Sequence, residues 1–359
     1  MLVNGKNFIT IWLEDDTVKT INQNLLPHKF EIVSLKSSGD IIDAIKTMLL
    51  RGAPLIGVAA AYGIYLAAKE FEGEIADFDR YLFSKASEIK NTRPTAVNLS
   101  YAVDKSLVLI QKEKSIQSKI KAALDFAELL SGEEINSCRK IGEYGVELLK
   151  ILSRNNKKVN ILTHCNAGWL ACIDYGTATA PVYFAKEQGL DIHVWVEETR
   201  PRNQGAGLTA WEFEQNKIPY TIITDNAGGY VMQKGLVDIV IVGSDRTTSN
   251  GDVCNKIGTY KTALAAKDNN IPFYAALPFT SFDFNINDGL KEIPIEERSP
   301  SEVKYISGKY NNEIIKVLLT PEKSCAKNYG FDITPARLVT GLITDKGIYK
   351  PEEIRTIDN

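Results

Sequence analysis

The chain has little of what metal centres, membranes and nucleic acids require. Its 359 residues include three histidines (His28, His164, His193) and five cysteines (Cys138, Cys165, Cys172, Cys254, Cys325), which are widely spread and form no CxxC pair. Zinc and dithiol centres need closer ligand spacing, so no metal site is assigned and most thiols are expected to be buried. Positive charge is not concentrated either. The net charge is -3 and no Lys or Arg run makes a stripe that could neutralise a phosphate backbone, which argues against nucleic acid as a partner. No uninterrupted apolar run reaches membrane-spanning length, and MLVNGKNFITIWLEDDTVKT places acids too soon after a short apolar stretch for a signal peptide. A cytoplasmic protein with no membrane or nucleic-acid partner is the expectation.

What is there is an ordinary globular composition, 44% hydrophobic and 24% charged, in a chain whose length suits two domains. The first third reads as helical. From Asp40 to Phe71, apolar residues recur at three-and-four spacing on both sides of a Gly-Ala-Pro break, and Glu70 to Glu88 and Ser100 to Leu130 continue likewise. The charged, periodic stretch from Ser106 to Leu149 suits helices leading into a second domain, so the division is drawn as 1–130, mainly helical, and 131–359.

From Val159 the texture changes. VNILTH, DIHVWVE, YTIITD, DIVIVG and PFYAAL are short β-branched runs separated by helical segments, the pattern of a doubly wound parallel sheet covered on both faces. Ligands of such sheets gather beyond the carboxyl ends of the strands. Here those ends carry His164-Cys165-Asn166, Glu197 to Arg200, Asp225-Asn226 and Ser244-Asp245-Arg246. The polar tail after Tyr349 is expected to fray.

Several motifs carry candidate chemistry. Gly205-Ala206-Gly207-Leu208-Thr209-Ala210 fits a dinucleotide-binding glycine fingerprint, with Asp225 at the distance of its ribose acid. Seven residues separate the preceding strand from Gly205, however, whereas the fingerprint needs its first glycine directly after the strand. A loop entering a helix is the better reading, and no NAD is expected. Arg51-Gly52-Ala53-Pro54 opens a helix beside an arginine, which makes a phosphate seat or a plain helix break. Lys256, after Asn255, lies near a helix start, where an anion is favoured, or is a surface lysine. Cys165 ends a strand before Asn-Ala-Gly and an expected helix, whose amino terminus would lower the thiol pKa; a structural cysteine is the alternative. Asp245 ends DIVIVGS, as an acid or base whose pKa burial can raise, or as a cap or partner of Arg246.

Taken together, RGAPLIG, RPTAVNL, LTHCNAG, ETRPRNQGAGLTAWE, ITDNAGG, GSDRTTSNGDVCNKIGTY, PIEERSPSEV and FDITPARLVTGLIT resemble the methylthioribose-1-phosphate isomerase family over essentially the whole chain. The resemblance implies an amino-terminal helical domain, a Rossmann-like carboxyl-terminal domain and a homodimer. It also implies conversion of an aldose 1-phosphate to a ketose 1-phosphate without metal or cofactor. Carried over by position, Cys165 is the catalytic cysteine and Asp245 the proton donor. Arg51, Gly52, Ala53, Arg93, Gln204, Asn255 and Lys256 take the substrate and its phosphate.

The sugar explains the need for such residues. Its anomeric oxygen is esterified, so the ring cannot open to a free aldehyde, and Asp245, kept neutral by burial, is expected to protonate the ring oxygen. Hydrogen then passes from C2 to C1, either as a proton shuttled by Cys165 or as a hydride. The substrate expected is S-methyl-5-thioribose 1-phosphate, of methionine salvage. Trp169 and Phe279 stand where the family carries other residues, and both are expected near the C5 end of the sugar. That keeps a 5-deoxyribose-1-phosphate isomerase as the alternative. Ribose 1,5-bisphosphate would need a second anion seat. A noncatalytic regulatory subunit, like those of the exchange factor for translation initiation factor two, would have no need of the Cys165 and Asp245 pair.

Overall fold

A computed structural model describes residues 1–93 and 97–356; Pro94 to Ala96 of RPTAVNL, and residues 357–359 of the tail, lie outside the described residues. The chain opens with strands rather than helices. Ile11–Glu14, Thr17–Ile21 and Ile32–Leu35 form an antiparallel three-stranded sheet. Sequence pattern does not reveal it, because these strands are short and their polar turns leave little alternation to count.

Helices come next, as the periodicity requires: α1 (Ser38–Lys46), α2 (Ala53–Lys69), α3 (Ile75–Lys90), α4 (Val97–Ile110) and α5 (Ile116–Leu152). Every residue of α2 from Ala53 to Ala68 is buried, so this helix is the axis of the amino-terminal core. Its start is fixed by two local devices. Pro54 sits in the first turn, where its missing N–H costs nothing, and Gly52 has φ 110° with its Cα pressed against Ala171. A Cβ on Gly52 would stand 2.3 Å from the Ala171 carbonyl oxygen.

Helix α5 is 37 residues long, roughly 55 Å at the α-helical rise. Ser115 and Ser118 close its amino end with a reciprocal capping box. Phe126, Ala127 and Leu130 belong to the amino-terminal core, whereas Ile141, Val146 and Leu149 pack on the sheet of the second half. Residue 130, where the sequence pattern divides the chain, lies inside this helix.

That sheet has seven strands in the order Gly347–Tyr349, Gly341–Thr344, Phe273–Ala276, Ile239–Gly243, Val159–His164, Ile192–Glu197, Tyr220–Ile223. All pairs are parallel except the terminal hairpin of Gly341–Thr344 with Gly347–Tyr349. Alternate residues serve opposite faces. Ile161, Ile239 and Ile241 join one core and Leu162, Val240 and Val242 the other, which is the doubly wound arrangement the β-branched runs indicate. The chain proceeds outward in one direction from Val159–His164 and in the other from Ile239–Gly243. Those two neighbours therefore form the switch point, and a crevice opens beyond their carboxyl ends. A smaller sheet, in which Arg246–Thr248 and Val253–Lys256 pair antiparallel and Val253–Lys256 pairs with Phe331–Thr334, stands over that crevice.

The tail does not fray over its described part. Pro351–Thr356 forms a 3-10 turn, and Ile354, 0% exposed, packs in the core with Val253, Leu338 and Leu342. Burial of one isoleucine outweighs the fraying expected of a polar composition. Two stability outcomes are expected. Ile354→Ala should cost about 2–5 kcal/mol, and Gly52→Ala about 2 kcal/mol or more, from the forced φ and the clash with Ala171. Urea midpoints measured beside the unsubstituted chain check both.

Candidate active site

The switch-point crevice holds a cavity of about 60 Å³ lined by Cys165, Asn166, Gln204, Asp245, Asn255 and Lys256, with Arg51, Gly52, Ala53 and Arg93 closing it from the helical side. All nine residues singled out from the sequence thus line one cavity, although they come from six separate segments. Met48, Arg51 and Gln204 also border an adjoining outer cleft of about 590 Å³.

Cys165 is held in a costly conformation. Its φ is 66°, a left-handed value that a non-glycine residue adopts only when surrounding bonds impose it. Two threonine hydroxyls do so: Thr199 Oγ1 accepts the Cys165 N–H at 2.7 Å, and Thr209 Oγ1 donates to the Cys165 carbonyl at 2.7 Å. The Sγ faces Gln204 Oε1 at 3.5 Å. The next element along the chain is a 3-10 turn over Trp169–Ala171 rather than an α-helix, so the helix-terminus effect expected on this thiol is absent. Burial pushes the Cys165 thiol up, against the opposing pull of Lys256 and Arg51.

Asp245 shows the same balance. Burial raises its carboxyl above the usual range while Lys256, Arg93 and Arg51 pull it down, and its N–H is tied to the Cys254 carbonyl at 2.9 Å. Lys256, at the end of its strand, lies over the Phe331 ring at 4.8 Å and is lowered by burial. The helix after it, Thr259–Asp268, is not an open anion seat, because Asp332 already accepts the N–H groups of Gly258 and Tyr260 at 2.7 and 3.1 Å. The uncapped amino end of α2 is the available one: Gly52 supplies no side-chain cap, and Gly52, Ala53 and Pro54 all line the cavity.

Arg51, buried, donates to Asn166 twice, through Nη1 to Oδ1 at 2.8 Å and through Nη2 to the main-chain carbonyl at 2.6 Å. Arg93 instead reaches across the crevice to Glu296 Oε2, 3.0 Å from Nη2, and donates from Nη1 to Met48 Sδ at 3.3 Å. Neither Trp169 nor Phe279 lines the cavity, contrary to expectation. Trp169 is fully buried beside Trp211, with ring centroids 6.1 Å apart, and Phe279 packs against Phe282 and Phe284; the neighbouring Pro278 is what reaches the cavity.

The glycine fingerprint is spent within the chain. Gly205–Thr209 forms a single π turn in which the Gly205 and Ala206 N–H groups donate to the Glu198 carbonyl, and a Cβ on Gly205 would lie 1.8 Å from the Glu197 carbonyl oxygen. Asp225 accepts the Thr199 and Arg200 N–H groups, both at 2.7 Å. Amides and acid that a dinucleotide would need are engaged elsewhere, and Gly205 serves close packing.

Sequence reasoning does not assign Asn166, Thr199, Thr209 or Glu212 to the site, although the first two sit at the marked strand ends. His164 also lines the cavity; its Nδ1 lies 2.6 Å from Glu197 Oε2 and its Nε2 2.9 Å from the Ile257 carbonyl, so the ring is held from both sides.

The profile of the initiation factor 2 subunit family matches residues 49–351. The chain is 52% identical to the methylthioribose-1-phosphate isomerase of Desulfatibacillum aliphaticivorans, across 98% of this chain and 97% of that one. Among solved structures it is similar to 5-methylthioribose 1-phosphate isomerase from Pyrococcus horikoshii, with 37% identity and a TM-score of 0.85 over 98% of this chain and 96% of that one. It is also similar to the translation initiation factor eIF-2B, subunit delta, from A. fulgidus, with 40% identity and a TM-score of 0.80 over 98% and 99% of the two chains. Among the described residues no helix is long and apolar enough to cross a membrane.

Thiol reactivity tests the electrostatics. With iodoacetamide near neutral pH, exposed Cys325 is expected to alkylate first and Cys165, 8% exposed and raised by burial, to lag by about tenfold or more, gaining rate as pH rises. Peptide mass spectrometry over time reads the order; Cys165 reacting first would mean a low-pKa thiolate after all.

Proposed function

This chain belongs to the initiation factor 2 subunit family, and from its isomerase relatives there we propose that it converts S-methyl-5-thioribose 1-phosphate to S-methyl-5-thioribulose 1-phosphate in methionine salvage. The observation that carries the reading is the meeting of Cys165 and Asp245 in one cavity, beside Arg51 and the open amino end of α2. The phosphate is gripped by Arg51, the Gly52-Ala53 turn and Lys256, with Gln204 and Asn255 on the sugar. Arg93 joins them by exchanging its Glu296 partner for substrate. A homodimer in the cytoplasm is part of the same proposal.

The steps balance within the site. Asp245, its carboxyl raised by burial, gives its proton to the ring oxygen as the bond from that oxygen to C1 breaks. C1, now electron-poor, is stabilised by its ester oxygen. The electron pair of the C2–H bond moves with the hydrogen to C1, the C2 hydroxyl proton returns to Asp245, and C2 becomes the ketone. In the alternative, a Cys165 thiolate would lift the C2 proton and return it to C1. Burial of the Cys165 thiol works against that base, so the direct shift is favoured, with Cys165 as a neutral weak donor packed at the reacting edge.

The 5-deoxyribose alternative is not favoured. It depends on Trp169 and Phe279 reaching the sugar, and neither lines the cavity. A noncatalytic subunit would not need a strained cysteine beside a buried carboxyl.

Phosphorus NMR of ketose 1-phosphate formation tests the reading. Asp245→Asn is expected to lower kcat by about 10²–10⁴ and Cys165→Ser to lower it as well; full turnover by both variants rejects the assignment. In deuterium oxide the product's C1 is expected to carry no solvent deuterium, whereas the thiolate route would introduce it. Because the protonated carboxyl is the acid, kcat/KM is expected to fall as pH rises through the raised pKa of Asp245, a limb absent from Asp245→Asn.

A further inference from the structure

We infer that Glu212 is a positioning residue for the anion seat: it fixes the side chain of Asn166, and Asn166 aims the guanidinium of Arg51 into the cavity. This rests on the proposed role of Arg51 in gripping phosphate. Glu212 lies on the short helix Ala210–Gln215 and is 0% exposed. Its carboxylate is fully engaged: Oε1 accepts from the Leu170 N–H at 3.0 Å and Asn166 Nδ2 at 2.9 Å, and Oε2 from the Trp169 N–H and the Tyr183 hydroxyl, both at 3.1 Å. Gly168 is pressed so close that a Cβ there would stand 2.0 Å from Oε2, which leaves the carboxylate one place to sit.

The consequence for Asn166 is directional. Its Nδ2 is committed to Glu212 and, at 3.1 Å, to Thr209 Oγ1, so its Oδ1 must face the other way, toward Arg51 Nη1 at 2.8 Å. A reversed amide would set its oxygen against the carboxylate and its NH2 against the guanidinium, losing both charged hydrogen bonds at once. Charge points the same way. A guanidinium withdrawn from water is stabilised by a neighbouring carboxyl, and Glu212 acts on Arg51 through space as well as through Asn166. Burial raises Glu212 to about 7 even against the downward pull of its four hydrogen bonds, so the contacts of its two oxygens rather than a permanent charge are what fix Asn166.

A loop anchor alone would bond Trp169 and Leu170 and leave the anion seat indifferent to Glu212. The two roles separate by isothermal titration of the full chain with inorganic phosphate, using the unsubstituted protein, Glu212→Gln, Asn166→Ala, Arg51→Ala and the Glu212→Gln/Arg51→Ala double variant. Glutamine keeps the volume and replaces one accepting oxygen by a donating NH2. Phosphate affinity is expected to fall roughly tenfold or more in Glu212→Gln and in Asn166→Ala, and Glu212→Gln is expected to add nothing further once Arg51 is gone. With methylthioribose 1-phosphate, Glu212→Gln should raise KM more than it lowers kcat, because phosphate is gripped throughout the reaction.

Unchanged phosphate affinity in Glu212→Gln, or the same loss with and without Arg51, overturns the inference; so does an unsubstituted protein that binds no phosphate. If Glu212→Gln does not fold by circular dichroism, Asn166→Ala decides the matter alone, since it cuts the link and leaves Glu212 on its loop amides. The coupled phosphate pattern without turnover of any sugar phosphate would leave this inference standing and remove the proposed isomerase activity.

Discussion

A guanidinium taken out of water must be bonded on several sides or it destabilises the fold, and the placement of Arg51 follows from that demand. It precedes the first turn of α2, so the axis of the helical core begins where the charge is held. Its partners come from the loop after the first strand of the sheet, which ties the amino-terminal half to the switch point. Arg51 is thereby fixed relative to Cys165, one residue from Asn166, before any ligand arrives. Prior fixing matters because a phosphate that had to order its own arginine would lose that ordering entropy from its affinity.

Hydroxyls do comparable work on the backbone. Thr199 and Thr209 hold Cys165 in its left-handed conformation, and each is placed by something else: Thr199 by Asp225, and Thr209 by a π turn that sets residues 204, 209 and 212 toward the same loop. A π turn widens the helix by one residue per turn, so side chains five apart share a face. In a regular α-helix, Gln204 and Thr209 would point apart. Gly205, the first glycine of what looks like a nucleotide motif, is what allows this turn to lie against the Glu197 carbonyl.

The sheet is legible in the sequence because its strands are buried on both faces and read as unbroken β-branched runs; the strand-end rule then points to Cys165 and Asp245 without further help. Arg51, Arg93, Gln204, Asn255 and Lys256 are individually weak signals and become specific only through their combined resemblance to one family. Other features are not legible, for different physical reasons. Glu212 lies in a helical segment whose spacing gives no sign that a carboxylate faces inward. Trp169 points to the sugar by its position after the cysteine, but the 3-10 turn swings it into the core. The amino-terminal strands are too short for periodicity to speak, and Ile354 is one apolar residue in a polar tail, with a core partner such as Val253 about a hundred residues away in sequence.

Helix α5 has a bearing on how the crevice can change its width. Hinges form where few residues absorb large dihedral changes, and an uninterrupted 37-residue helix has none to spare along its length. Since its two ends are embedded in different cores, those cores share a stiff strut, and any opening at the strand ends has to pivot about the strut rather than fold it.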